Sequence, residues 1–374
     1  MNEFELLARR EFGRLEPDLT RLARFDHLRD QLGLGDGLGP TFDHVGGAIE
    51  DGERRLRHDD VMPTTSRPVK STPCHRLRLA SGRCFAMVKT SPTMPFDPKI
   101  PRELANKLGR EAMKVIELGL YASPTSQQVD IAADIADAVA RTTHLPPDHR
   151  HTSPRTGSHP TAIEVTEETS LSAAARHDAA GLRTLVLNFA SPIVAGGGFL
   201  AGERAQEEYH CRSTALFACL LGGPMYAFHL QQGNALRSDA MIYSPDVPVF
   251  RDDEHRMLET PFKIAFVSAA ACDARDVPPL DQAKIPGAMS ARIVKVLATA
   301  QANGHDTLVL GAWGCGNFAN DPGLIADLFR QALDGPFKGA FRRVTFAIVD
   351  TTPDQRCLNQ FRLALSPKAP PRHN

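Results

Sequence analysis

LNFASPIVAGGGFLAGERAQEE, residues 187–208, decides how the chain is read. It begins inside an apolar run, Thr184 to Phe189, whose length and composition suit a buried strand. Three consecutive glycines, Gly196 to Gly198, come next. Glycine weakens helices and strands alike, so a triplet fits where the backbone takes φ > 0 or passes very close to another group. Gln206, Glu207 and Glu208 then open a helical run, with Leu216, Phe217, Leu220 and Leu221 on one side. The predicted geometry is a strand, a tight loop that holds a ligand, and a helix whose first turn carries two carboxylates. Two acids at a helix start need no ligand by themselves, since they offset the macrodipole by ~0.3–1 kcal/mol. The triple glycine and Gln206 favour the functional reading here.

A second stretch, TLVLGAWGCGNFANDP over residues 307–322, repeats the strand–loop–helix order. A strand runs into Gly311, Gly314 and Gly316. Asn320, Asp321 and Pro322 then make a helix start, with Asp as N-cap and Pro at the first position. Such a loop offers several N–H groups to an anion. It is neither a Walker loop nor GxGxxG, and alone it reads as a tight β–α turn.

Taken together, the two stretches point to a family. Gly-Gly-Gly, a short spacer and Gln-Glu-Glu resembles the signature of poly(ADP-ribose) glycohydrolases (PARG). The extended form GGGFLAGERAQEEYHCRSTAL, residues 196–216, is similar to the microbial-type branch. Val194-Ala195 stands where many microbial members carry Asn-Pro. The resemblance implies a macrodomain-like three-layer α/β/α sandwich with a mixed sheet, over residues 102–365. It implies Glu208 as general acid and then base, and Glu207 as the residue positioning the ribose. Adjacent helical residues point about 100° apart, so the two acids can do different work. Breaking a glycosidic bond needs an acid, because the leaving group would otherwise depart as an alkoxide.

By the same resemblance the substrate is bound by Gly196, Gly197, Gly198 and Gln206. The diphosphate falls to Gly314, Cys315, Gly316, Asn317 and Phe318, with Phe318 packing on the distal ribose. A side chain at Gly198 is expected to intrude on the ribose or diphosphate. Glu164 and Thr166 stand where macrodomains read adenine. Asn188 either bonds the ribose or satisfies a strand end, the latter being favoured. The implied reaction is hydrolysis of the ribose–ribose O-glycosidic bond of poly(ADP-ribose), mainly exo, releasing ADP-ribose. An ADP-ribose-binding reader, or a hydrolase of another ADP-ribosyl linkage on a protein side chain or nucleic-acid end, would use the same site.

The remaining composition narrows the partners. The chain has 374 residues, 42% hydrophobic and 23% charged, which suits a globular protein. Its 43 basic and 44 acidic residues leave a formal net charge of −1, so no global field attracts nucleic acid or an anionic membrane. The expected partner is poly(ADP-ribose) or an ADP-ribosylated protein, with no membrane or sequence-specific nucleic-acid binding, and the chain is expected to be a monomer. Seven scattered cysteines without CxxC spacing fit reduced thiols in a cytoplasm. The fourteen histidines show no ligand spacing, and HExxH and GxSxG are absent, so neither a metal nor a cofactor is expected. His210-Cys211 are helix neighbours that do not face each other, which argues against a thiol nucleophile. Arg212 is expected to pair with an acid of the same helix.

Three segments are predicted. Residues 1–100 form an extension: a periodic helix marked by Phe4, Leu7, Phe12, Leu15, Leu19, Leu22 and Phe25, then a proline-rich stretch with a strand-like patch from Cys84 to Val88. Residues 101–366 form the catalytic domain and 367–374 a disordered tail. Within the domain, helices are expected at 102–121, 127–141, 171–180, 206–221, 291–303, 324–333 and 355–365. Strands are expected at 163–166, 184–189, 240–243, 247–250, 263–268, 307–310 and 344–349. Tyr243 to Phe250 is similar to the microbial family too, and its two prolines exclude a central strand.

Overall fold

The computed structural model describes residues 100–151 and 154–366. The readings made for residues 1–99 and 367–374 lie outside the described residues. The domain begins with α1 (Arg102–Leu118), the hairpin of β1 (Leu120–Ala122) and β2 (Gln128–Asp130), α2 (Ala132–Arg141) and β3 (Thr143–Leu145). It continues through β4 (Ala162–Thr166), α3 (Ser170–Asp178), β5 (Thr184–Phe189), α4 (Gln206–Ser213), α5 (Leu216–Leu220) and α6 (Met225–Gln232). The rest is β6 (Met241–Arg251), β7 (Met257–Ala269), α7 (Ile285–Ala302), β8 (Thr307–Leu310), α8 (Pro322–Asp334), β9 (Arg343–Ala347) and α9 (Arg356–Leu365).

Seven strands form one mixed sheet in the order β3-β6-β7-β5-β8-β9-β4. From β7 to β4 the neighbours are parallel, whereas β6 runs antiparallel to both β7 and β3. Strand side chains alternate between faces, so each strand supplies two layers. Leu185, Leu187, Val267, Leu310 and Phe346 join Ile293 and Leu297 of α7, Phe329 of α8 and Phe361 of α9 in one buried core. The Phe346 ring lies 5.3 Å from Phe329 and 5.6 Å from Phe361. On the opposite face Phe266 meets His210 of α4 at 5.1 Å, and Thr345 bonds His177 of α3 at 2.9 Å. The result is helix, sheet, helix in three layers, as expected from the alternation of strands and helices.

β5 sits mid-sheet, and its order of connection matters for function. The chain leaves β5 towards β6 and β7 on one side, and leaves β8 towards β9 on the other. Adjacent parallel strands with diverging connections open a crevice beyond their carboxyl ends, where α/β folds place ligands. The loops leaving β5 and β8 are the two glycine-rich stretches.

Several boundaries differ from the sequence reading. The helix expected over 206–221 breaks at Thr214, which takes extended backbone (φ −140°, ψ 169°) and bridges to Val249. The Thr214 hydroxyl then accepts the N–H of Leu216 at 3.1 Å, starting α5 afresh. The helix expected from 127 begins only at Ala132, because residues 128–130 pair with β1. β6 runs through Tyr243 to Phe250 as one strand, but beyond Tyr243 its ladder is to β7 alone, so both prolines stand where the strand has no β3 beside it. Pro245 lies in a register shift between Ser244 and Val247. Pro248 lies beyond β3, which covers only Met241 to Tyr243, so no ladder bond needs its missing N–H. Its carbonyl accepts the Ala215 N–H at 3.0 Å. Asp321 caps α8 as expected, accepting the Leu324 N–H at 2.9 Å.

Candidate active site

The loop after β5 folds back on the start of α4. Gly196 and Gly197 take left-handed backbone, φ 69° and 57°. A Cβ on Gly197 would stand 2.1 Å from Oε1 of Glu208 and 3.3 Å from Oε2 of Glu207. The triplet therefore lets backbone lie directly on both carboxylates, which no side chain would permit. A Cβ on Gly196 would meet Phe217, Cys211 and Phe199. Gly198 differs: its φ is −100°, and a Cβ there would meet the Glu203 side chain.

Both acids are buried, Glu207 at 2% exposure and Glu208 at 8%. Oε2 of Glu207 accepts the Ser191 N–H at 2.6 Å, and its Oε1 accepts Nδ2 of Asn188 at 3.3 Å. Burial pushes the Glu207 carboxyl up to about 8; the Ser191 N–H opposes that, and the Glu208 charge adds to it. Oε1 of Glu208 accepts the Gly198 N–H at 3.0 Å. Oε2 of Glu208 is buried and has no partner among the described residues. Of the four carboxylate oxygens, three are held by the protein and one is left for another donor or acceptor.

Gln206 uses both ends of its amide on β5: Oε1 accepts the Phe189 N–H at 2.8 Å, and Nε2 donates to the Leu187 carbonyl at 3.2 Å. It ties the helix start to the strand end, so its geometry is that of a positioning group. Asn188 points into the protein, where it bonds Glu207, Ser268 and His210. Arg212 does not pair with an acid of its helix, and its Nη1 donates to the Glu203 carbonyl instead.

α1 holds the loop from behind, a role the sequence reading missed. Arg102 Nε donates to the Ala201 carbonyl at 2.9 Å, and its Nη2 pairs with Glu203 at 3.0 Å. Asn106 donates to the Leu200 carbonyl, and Arg204 to the Ile100 carbonyl at 3.0 Å. Gly109 lets the helix approach, since a Cβ there would be 2.8 Å from the Phe199 carbonyl oxygen. An isolated glycine inside a helical pattern was the available signal.

The loop after β8 leaves the strand beside β5, ~4.8 Å away. At Gly311 the backbone passes 2.8 Å, measured from a notional Cβ, from the Ala347 carbonyl and 3.0 Å from the Phe189 ring. Gly314 takes φ 73°, and Asn320 pins the loop by donating to the Cys272 carbonyl at 2.8 Å and the Gly314 carbonyl at 3.0 Å. Gly316 and Asn317 are exposed, and nothing lies within 4 Å of a Cβ on Gly316. Among the described residues no acceptor takes the N–H groups of Gly316, Asn317 or Phe318. Phe318 is half-buried, with the Arg275 guanidinium 5.9 Å from its ring centroid. Trp313 is fully buried, and burial pushes the half-buried Cys315 thiol up. Glu164 is committed to Arg176 at 2.9 Å, Arg343 at 3.5 Å and the Thr345 hydroxyl at 2.6 Å, while the buried Thr166 hydroxyl has no partner among the described residues.

Among the described residues no group of His, Cys, Asp and Glu is gathered as a metal site, and no helix is long and apolar enough to cross a membrane. A cavity of about 470 Å³ opens at the other end of the sheet, lined by Arg141, Arg183, Tyr243, Lys263 and His305. Arg141 is paired with Asp137 and Asp246 and Lys263 with Asp134, while Arg183 donates to the Asn303 carbonyl at 3.3 Å.

Residues 109–252 match the family model described as microbial-type PARG, catalytic domain. The solved poly(ADP-ribose) glycohydrolase of Thermomonospora curvata is 42% identical, with a TM-score of 0.67 over 70% of this chain and 99% of that one. The same protein bound to the inhibitor ADP-HPD gives 42% identity and a TM-score of 0.65, with the same coverage. The poly(ADP-ribose) glycohydrolase of Deinococcus radiodurans in complex with ADP-ribose is 38% identical, with a TM-score of 0.59 over 62% of this chain and 97% of that one. No curated protein matches the chain.

Proposed function

The chain belongs to the poly(ADP-ribose) glycohydrolase family, and from that premise we propose that it hydrolyses the ribose–ribose O-glycosidic bond of poly(ADP-ribose), with Glu208 as general acid and base. The observation that carries the assignment to Glu208 is its divided carboxyl, one oxygen held by the Gly198 N–H and the other buried and unpartnered. In the reaction, protonated Glu208 gives its proton to the bridging oxygen as the C1–O bond breaks. Positive charge develops on the departing ribose as an oxocarbenium-like centre. The carboxylate so formed takes a proton from water, whose oxygen bonds C1. The products are ADP-ribose and a polymer one unit shorter, and Glu208 is protonated again.

Glu207 accepts a ribose hydroxyl and fixes the sugar beside the acid. The N–H groups of Gly316, Asn317 and Phe318 meet the diphosphate, and the Phe318 ring packs on the distal ribose. Cleavage is mainly exo, in keeping with the likeness to the microbial-type branch. Residues 101–366 act as the catalytic unit; the 99% coverage of the Thermomonospora chain by 70% of this one supports that boundary.

Glu208→Gln tests the assignment. It keeps the acceptor oxygen for Gly198 and removes the proton donor, and general acid catalysis is typically worth ~10²–10⁴-fold. Turnover of poly(ADP-ribose) is expected to fall by at least that lower bound, while calorimetric ADP-ribose affinity stays within a few-fold. Turnover within a few-fold of the unaltered protein would show that another group carries the proton.

A further inference from the structure

Beneath the two acids lies a chain of buried polar side chains drawn from four elements. Ser170 of α3 bonds Nε2 of His210 at 2.6 Å, and Nδ1 of His210 bonds Oδ1 of Asn188 at 2.9 Å. Nδ2 of Asn188 reaches Ser268 of β7 at 3.1 Å and Glu207 at 3.3 Å. Ser170, His210, Asn188 and Ser268 are all buried. Burial also drives the His210 imidazole down to about 3, so it is neutral and carries one ring proton.

With Glu207 protonated, as burial favours, its O–H can donate to a turned-over Asn188 carbonyl; with Glu207 ionised, only one arrangement of donors satisfies this chain. An ionised Glu207 needs an N–H from Asn188, which turns the Asn188 carbonyl towards His210. That carbonyl requires the His210 proton on Nδ1, leaving Nε2 to accept the Ser170 hydroxyl. Were the proton on Nε2, the Asn188 amide would have to turn over and set its carbonyl against the Glu207 carboxylate. Ser268 offers no preference, because a hydroxyl serves as donor or acceptor.

We propose that His210 is a positioning residue for the reaction: its Nδ1–H holds the Asn188 amide with an N–H towards Glu207, which opposes the effect of burial and favours the ionised carboxylate that accepts the ribose hydroxyl. This rests on the functional reading above. The imidazole touches no substrate; it acts through Asn188. The other titratable groups facing Glu207 are Glu208 and Cys211 of its own helix and Tyr226 of α6, while β5 and β7 contribute the neutral Asn188 and Ser268. Burial holds the Cys211 and Tyr226 protons in place, so neither can supply the control assigned to His210.

The test compares His210→Leu, which removes the donor, with His210→Asn, whose amide nitrogen can replace Nδ1, each alone and combined with Glu207→Gln. Carbon-13 NMR on glutamate-labelled protein follows the Glu207 carboxyl, identified by its loss in Glu207→Gln. His210→Leu should raise its titration midpoint by about one pH unit, and His210→Asn should restore it. On poly(ADP-ribose), His210→Leu should cut kcat/KM about tenfold in the otherwise native chain, and less than twofold where Glu207 is already glutamine. An unmoved NMR midpoint, or equal losses in both backgrounds, would reduce His210 to a packing residue. If the native chain releases no ADP-ribose, the functional reading fails while the NMR titration still decides the role of His210.

Discussion

Gly197 and Gly198 are neighbours with opposite reasons for being glycine. Gly197 combines φ 57° with a Cβ direction blocked by the Glu208 carboxylate at 2.1 Å. Gly198 has φ −100°, and a Cβ there would meet Cγ and Cβ of Glu203 rather than either acid. Gly197→Ala should therefore displace Glu208 and cost at least ~10²-fold in turnover, the scale of losing the general acid. Gly198→Ala should stay within a few-fold, read in the same ADP-ribose release assay; equal losses at both positions would contradict this division. The acids and the triplet were legible in the sequence because their spacing is local. Which glycine touches which carboxylate was not, since that depends on how the loop folds back on α4. The buried chain from Ser170 to Glu207 was hidden for the same reason, as it needs β5, β7, α3 and α4 brought into register. Asn188 was read as a strand-end residue, and the structure gives it three side-chain partners.

Among the elements, α1 shows how a surface helix can serve a site it never enters. Arg102 and Asn106 hold the Ala201 and Leu200 carbonyls, and Arg251 of β6 anchors the helix by donating to the Leu108 carbonyl at 3.2 Å and pairing with Glu111 at 3.2 Å. Gly109 sets how closely α1 approaches the Phe199 turn. Gly109→Val should overpack this contact by roughly 1–3 kcal/mol and lower the melting temperature by several degrees. ADP-ribose release should fall with it, because the turn carries the triple glycine. Arg110→Val, at an exposed position of the same helix, is the control. Equal melting temperatures for the two variants would mean that the close approach contributes nothing. The helix itself was readable from its apolar spacing, and α8 from its Asp321–Pro322 start. Thr214 misled the reading, since it found a tertiary partner in Val249, whereas the two prolines of β6 stand where the strand has run past β3.

At the scale of the whole molecule, the sheet order brings two glycine-rich loops to the carboxyl ends of adjacent strands, β5 and β8. One loop lies over a pair of buried acids, and the other presents exposed N–H groups beside an aromatic ring. That the chain is layered α/β followed from its alternation of apolar strands and helices; which strands are adjacent could not, because pairing order is a property of the assembled sheet. The reading joins both loops in one site that takes an ADP-ribose unit at the end of a polymer. Product analysis on the full chain tests it most directly, with purified poly(ADP-ribose) and a mono-ADP-ribosylated protein treated side by side. The account predicts free ADP-ribose accumulating from the polymer one unit at a time, with short oligomers scarce. A polymer left intact while ADP-ribose is released from the modified protein would contradict it.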